Sequence, residues 1–238
     1  MKDSTENSGF FSKSNDLRNR ILFTILVLCV YRLGTYIPLP SIDPQSLQTL
    51  MQSNQKGLVG MFNVFSGGAI SRMAIFALGI MPYISSSIII QLMTGVSDYF
   101  KSLKNQGEIG RKKITQYTRY GTVILATLQG YGVSVGLENS PGVVIEAGMF
   151  FKLTTVISLV AGTMFLMWLG EQITQRGIGN GISLIIFSGI VAEIPRALAA
   201  TFELGRTGAL SVPLILFIFL LIISIVAFIV FIERAVRK

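Results

Sequence analysis

Residues 58–96 read LVGMFNVFSGGAISRMAIFALGIMPYISSSIIIQLMTGV, and they decide the fold class. The stretch has two parts. Residues 73–96 carry no charge and are long enough to cross a bilayer, which takes about 20 apolar residues as a helix. Residues 58–70 are also apolar, but they are too short to span and are broken by Gly60, Gly67 and Gly68. A non-spanning segment at membrane depth is tolerated only where it is buried in protein or lines a cavity. The pair therefore predicts a chain that encloses something within a membrane.

The rest of the chain agrees. Of its 238 residues 51% are hydrophobic and only 13% charged, where a soluble domain carries about a quarter charged. Mean hydropathy is +0.63. The pattern predicts an all-α, polytopic transmembrane helical protein with six spans, at about 21–37, 73–96, 120–137, 149–169, 181–202 and 212–232, plus the re-entrant segment. Glu193, Pro195 and Arg196 interrupt the fifth span, which is expected to end near an interface or to face a wet interior. Residues 1–16 are polar and expected to be mobile. The first apolar run lies behind a polar stretch and lacks a small-residue cleavage site, so it does not read as a secretory signal.

Charge sets the expected orientation. With a cytoplasmic amino terminus and a re-entrant 58–70, all basic residues fall inside except Arg32, Lys56, Arg72, Lys152, Arg196 and Arg206, which leaves 14 of the 20 on the cytoplasmic side. If 58–70 crossed, the basic loop 98–119 would lie outside, against the positive-inside bias. The net charge of +8 thus reads as topology rather than as a nucleic-acid patch. With no histidine and one cysteine, Cys29, the chain has almost no ligands for zinc, haem or iron–sulfur, and no Ser-His-Asp or Cys-His nucleophile. Neither an enzyme nor a cofactor is expected.

Several local features have two readings. Residues 62–72 are either a movable element that fills a cavity mouth or an interfacial turn before a helix, with Ser71 as its cap. Pro82 would kink the second span beside Gly79, and Ser85, Ser86, Ser87 and Gln91 must bond across helices or meet water. Ile80 and Ile84 share a helical face, as do Ile182 and Ile186. The loop 170–181, GEQITQRGIGNG, is spaced GxGxG with no preceding strand and reads as a tight polar turn, not a phosphate loop. The loop 98–119 is either a solvated topology signal or a docking surface for an anionic cytosolic partner or anionic lipid heads.

IPLPSID at 37–43, MFNVFSGGA at 61–69, FALGIMPYIS at 76–85, GEIGRKK at 107–113, QYTRYG at 116–121 and GEQITQRGIGNGIS at 170–183 occur in this order. Together they resemble the SecY family, the central subunits of bacterial protein-translocation channels. The resemblance implies an hourglass pore that passes unfolded secretory chains and releases apolar segments sideways into lipid. It implies a plug at about 58–72, including Phe62, Asn63, Val64, Phe65, Ser66, Gly67, Gly68 and Ala69. It implies a pore ring with Ile80, Ile84, Ile182 and Ile186, and a lateral gate with Gln91. Docking of partners would use Arg111, Lys112, Lys113, Arg234 and Arg237. The implied partners are SecE, SecG, the SecA motor, the ribosome, signal peptides and nascent chains, and membrane lipids; the implied location is the bacterial inner membrane. The family has ten spans in two inverted halves. On that pattern 1–20 is a cytoplasmic segment, 21–202 the first five-span half, and 203–238 the sixth span with the start of the next cytoplasmic loop, so the remainder is expected in a longer or separate chain. A small-solute transporter is the competing class. Such transporters place ionisable residues at mid-membrane, whereas Arg32, Lys152 and Glu193 lie towards span ends.

Overall fold

The computed structural model describes residues 4–54, 63, 64, 66–208 and 211–235. Eight long or medium helices are found among them: α1 (Ser4–Gly34), α2 (Pro44–Asn54), α3 (Met81–Val96), α4 (Asp98–Asn105), α5 (Glu108–Glu138), α6 (Met149–Arg176), α7 (Gly181–Arg206) and α8 (Val212–Ala235). The chain falls into two compact units, Met1–Ala192 and Glu193–Lys238. The division lies inside α7, two residues before Pro195, which removes a backbone donor from the helix interior.

In the first unit α5 and α6 form an antiparallel hairpin. Arg119 grips Glu171 at one end with two bonds, Nε to Oε1 at 3.1 Å and Nη2 to Oε2 at 2.6 Å. Lys152 meets Glu138 at 2.7 Å at the other. In lipid, apolar contact between helices is no better than contact with lipid tails, so association needs small residues and close backbones. The buried face of α5 supplies them at every fourth position from Thr118: Thr118, Thr122, Ala126, Gly130 and Ser134. The opposing α6 buries Phe151, Thr155, Leu159, Thr163 and Leu166. Ser86 of α3 donates to the Thr118 carbonyl at 2.8 Å, tying α3 to the same hairpin.

The second predicted span differs from expectation. Only Met81–Val96 is helical, 16 residues or about 24 Å at the usual rise. Residues 66–80 are a chain of turns. Met73 (φ 41°) and Gly79 (φ 56°) both leave the α region, so no helix can propagate through 73–80. Pro82 does not kink a helix; it stands in the first turn, where its missing donor would be unpaired anyway. Ser71 caps nothing, since α3 begins ten residues later and its Oγ donates back to the Gly68 carbonyl at 2.9 Å. The irregular stretch is tolerated because it is largely buried in protein and pairs much of its own backbone, with Met73 N donating to Ile70 O, Ala74 N to Ala69 O, Ala77 N to Ala74 O and Gly79 N to Phe76 O. Gly162 of α6 permits this closeness: a Cβ there would collide with the Ile75 carbonyl.

A three-way clip closes one end of this unit. Leu39 N donates to Met73 O at 2.9 Å and Ile75 N to Ile37 O at 3.0 Å, while Asp43 N donates to Val143 O at 2.9 Å and Ile145 N to Ser41 O at 3.1 Å. Segment 37–43 thus joins the 73–75 turn to the α5–α6 connection. Asp43 also caps α2, accepting from Ser46 N at 2.9 Å, and hydrogen bonds from the Ser46 side chain and then from its backbone hold the Asp43 carboxyl below the usual carboxylate range.

Further expectations change. The polar amino-terminal stretch is helical from Ser4, and the basic loop 98–119 is mostly helix, comprising α4 and the opening turns of α5. Of the loop expected at 170–181 only 177–180 is a turn, since 170–176 continue α6 and Gly181 opens α7. Asn180 Oδ1 accepts from Ile182 N and Ser183 N, and Thr24 Oγ1 of α1 accepts from Ile178 N.

In the second unit Phe202 stands 6.5 Å from Phe219 between ring centroids. Along α8 the large apolar side chains are exposed, from Leu214 to Ile232. Among the described residues, three helices are long and apolar enough to cross a membrane: Met149–Arg176, Gly181–Arg206 and Pro213–Ala235.

Candidate functional site

Residues 63, 64 and 66–72 belong to the first unit, with 66–69 buried in it. Asn63 organises the segment: its carbonyl accepts from Gly68 N and Ser66 Oγ, both at 2.9 Å, and its Oδ1 accepts from Ser71 N at 2.9 Å. Ser66, Gly67, Gly68 and Ala69 are all buried, whereas Val64 is exposed. Phe62 and Phe65 lie outside the described residues.

Beneath it lies an apolar cluster built by four elements. Val27 and Tyr31 come from α1, Ala74, Phe76 and Ile80 from the turns before α3, Leu166, Leu169 and Ile173 from α6, and Ile185 from α7; Ala69 of the folded segment belongs to it. Ile80 is buried in this cluster, and Ile84, Ile182 and Ile186 pack against it half-buried. The four isoleucines singled out from sequence are therefore brought to one place, next to the segment. Tyr31, Phe76 and Phe165 stack in series, with centroids 6.2 and 6.1 Å apart. Gln91 stands apart on the exposed side of α3, and Ser87 Oγ, at 3.5 Å, is its contact on that helix.

At the opposite end of α5, Arg111, Lys112 and Lys113 are exposed and line a groove of about 580 Å³ with Ile109, Gln116 and Arg119. Nearby, the hydroxyls of Tyr99 and Tyr117 are 3.1 Å apart, and that hydrogen bond raises the Tyr117 pKa above its ordinary value. Arg234 is exposed on α8, and Arg237 lies outside the described residues.

Comparison with known proteins places the chain. A sequence model of the SecY family matches residues 74–238. The chain belongs to the SecY family. It is 54% identical over 235 residues to the protein translocase subunit SecY of Rickettsia felis, covering 97% of this chain and 54% of that relative. It is 54% identical over 226 residues to that of Escherichia coli strain K12, covering 94% and 51%. This SecY-family chain thus spans about half the length of the curated relatives it matches. Its fold resembles a solved structure described as "The structure of a protein conducting channel", with TM-score 0.53 and 20% identity over 75% of this chain and 37% of that one. It has the same TM-score, identity and coverage against "Sec61 in the Canine ribosome-channel complex from the endoplasmic reticulum". The chain is a membrane protein.

Sequence reasoning missed one part of the SecY-family site. Arg32 entered only as a charge at a span end, and Arg72 as such a charge and as the last residue of 62–72, yet both donate to one carbonyl of the folded segment. Arg32 Nη1 donates to the Gly67 carbonyl at 2.7 Å and Arg72 Nη2 to the same oxygen at 3.0 Å. The signal available was an arginine on the last turn of an apolar helix, Arg32, with a tyrosine four residues on, Tyr36, in the turn just past the helix end.

Proposed function

We propose that this chain is a subunit of a protein-conducting channel that passes unfolded secretory polypeptides across a bacterial inner membrane and releases apolar segments into lipid. The observation that carries the reading is the meeting of Ile80, Ile84, Ile182 and Ile186 at one apolar cluster with a buried, non-spanning segment packed over it. Translocase subunits that are 54% identical over nearly the whole chain support it. No chemical step is needed. The work is exclusion: branched apolar side chains lining a narrow opening keep out water and ions by dewetting, and yield when a chain threads through.

In this reading residues 62–72 are the plug, the four isoleucines are this chain's share of the ring, and α3 with α5 forms one side of the lateral gate near Gln91. Arg111, Lys112, Lys113, Arg234 and Arg237 face the cytosol and dock an anionic partner, either the SecA motor or the ribosome, while SecE and SecG complete the membrane complex. The basic groove at the start of α5 has the charge for such a contact. The amino terminus is cytoplasmic.

The test is photo-crosslinking in the assembled translocase with a secretory chain stalled in transit. A photoreactive residue replacing Ile84 or Ile186 is expected to form adducts with the stalled chain, and one replacing Ile222 of α8 is not. Adducts at Ile222 alone would sink the assignment.

A further inference from the structure

The two arginines at Gly67 do more than fill space. We propose that Arg32 of α1 and Arg72, the segment's own last residue, close together on the Gly67 carbonyl as a double clamp that ties segment 63–72 to the end of α1, so that the Arg32–Gly67 and Arg72–Thr35 bonds must both open before the segment can leave. The inference rests on the plug reading for its consequence, but not for its geometry.

A carbonyl oxygen has two lone pairs, and here each accepts from a guanidinium, at 2.7 and 3.0 Å. Hydrogen bonds from a charged donor are roughly twice as strong as neutral ones. The donors are held in place by α1 and not by the segment alone. Arg32 sits on the last turn of α1, where the helix dipole favours a cation. Arg72 donates from Nε to the Thr35 carbonyl, just past that helix, at 3.1 Å. The Tyr36 ring lies under both guanidiniums, 4.3 Å from Arg72 Cζ and 5.3 Å from Arg32 Cζ. Tyr31 adds a longer bond to the neighbouring Ser66 carbonyl, at 3.4 Å.

The acceptor is shaped to match. Gly67 has φ +64°, and a Cβ there would lie 2.9 Å from Arg32 Nη1 and 3.1 Å from the Gly189 Cα of α7. A side chain would push the carbonyl off the clamp and the segment off α7. The clamp also has a built-in release. Both donors carry the same charge, and their repulsion strengthens when the carbonyl between them departs. Water can then solvate each guanidinium, so the clamp is firm when dry and easily replaced when wet.

The test reads seating directly. In a Cys29→Ser background, Ser66→Cys reports burial of the segment, and its modification by a small soluble maleimide is timed in membranes opened to both faces. Thr155→Cys, fully buried on α6, reports the fold elsewhere. Adding Arg32→Gln with Arg72→Gln is expected to speed modification at position 66 by about tenfold or more and to leave position 155 protected. Each single change is expected to give a smaller rise, and the Lys variants less still, because lysine keeps the charge but donates from one point. An unchanged rate at position 66, or an equal rise at 155, would overturn the clamp. Deleting 63–69 tests the plug reading separately: if ion leak stays unchanged while the arginine variants still unseat Ser66→Cys, the clamp stands and the plug reading fails.

Discussion

A branched side chain on a helix is held largely in one χ1 well, so Ile84, Ile182 and Ile186 present stiff faces to the cluster they border, while Ile80 lies at the start of α3 within it. Stiff apolar faces make a barrier that water does not wet. Replacing these four by serine is expected to raise the resting ion conductance of the assembled channel several-fold in planar bilayers, roughly as wetting of a hydrophobic gate predicts. The same change at Ile218 and Ile222, exposed on α8, should leave conductance alone. Equal leak from both sets would make the four ordinary packing residues. A second residue-scale expectation concerns Thr155 and Thr163 of α6, whose buried hydroxyls have no hydrogen-bond partner among the described residues. Valine has the same shape without the polar atom. Thr155→Val is therefore expected to stabilise the protein by about 1 kcal/mol, because it removes an unsatisfied hydroxyl. A lower unfolding midpoint would mean that the hydroxyl has a partner after all.

At the scale of elements, the sequence was readable where one physical signal dominated. The apolar windows at 149–169, 181–202 and 212–232 each became a helix that starts at or near the expected residue, because their opening turns are uninterrupted and apolar, with Glu193, Pro195 and Arg196 falling late in the second of them. α1 and α5 run well beyond their apolar windows, since the polar stretches before them also form helix and hydropathy cannot see that. The stretch 73–80 was misread because its apolar composition fits a span, while the structure uses it as buried turns between α1 and α6, a tertiary effect with no local period. The four isoleucines were legible by their one-turn spacing and by resemblance. The arginine pair was not, because its partner is a backbone carbonyl, and backbone groups leave no trace in a residue pattern. The folded segment carries its own prediction. Its buried part is small and its bonds are mostly internal, from Asn63 to Ser66, Gly68 and Ser71. Removing 63–69 should therefore raise leak and favour the open state without abolishing transport of a secretory precursor into inverted membrane vesicles. Complete loss of transport would show that the segment holds up the fold, not the gate.

At the scale of the whole molecule, charge and length argue together. In the first unit the Arg119–Glu171 pair and the Lys152–Glu138 pair mark opposite ends of the α5–α6 hairpin, so the basic 101–119 stretch and the 139–148 connection lie on opposite sides of any membrane it crosses. In the proposed orientation the positive-inside bias would place 101–119 in the cytosol. Single cysteines placed there in a Cys29→Ser background should resist an impermeant reagent in intact cells, and those at 139–148 should react; the reverse pattern would invert the topology. The chain spans about half the length of its curated relatives, and α8 exposes its apolar side chains within its own unit. Apolar helices can rest in lipid, but a pore wall cannot: a ring made from one side leaves a gap that lipid would fill. In the proposed reading these 238 residues supply four of the ring positions and one side of the gate. Expressed alone in a strain depleted of its own SecY, they should not restore secretion of a periplasmic reporter. Expressed with a second chain that matches the remaining length of the relatives, they should restore it, because the two would close the ring between them. Secretion from the 238 residues alone would mean that the channel is completed in some other way, for example by a second copy of this chain, and chemical crosslinking between copies would then be the measurement to make.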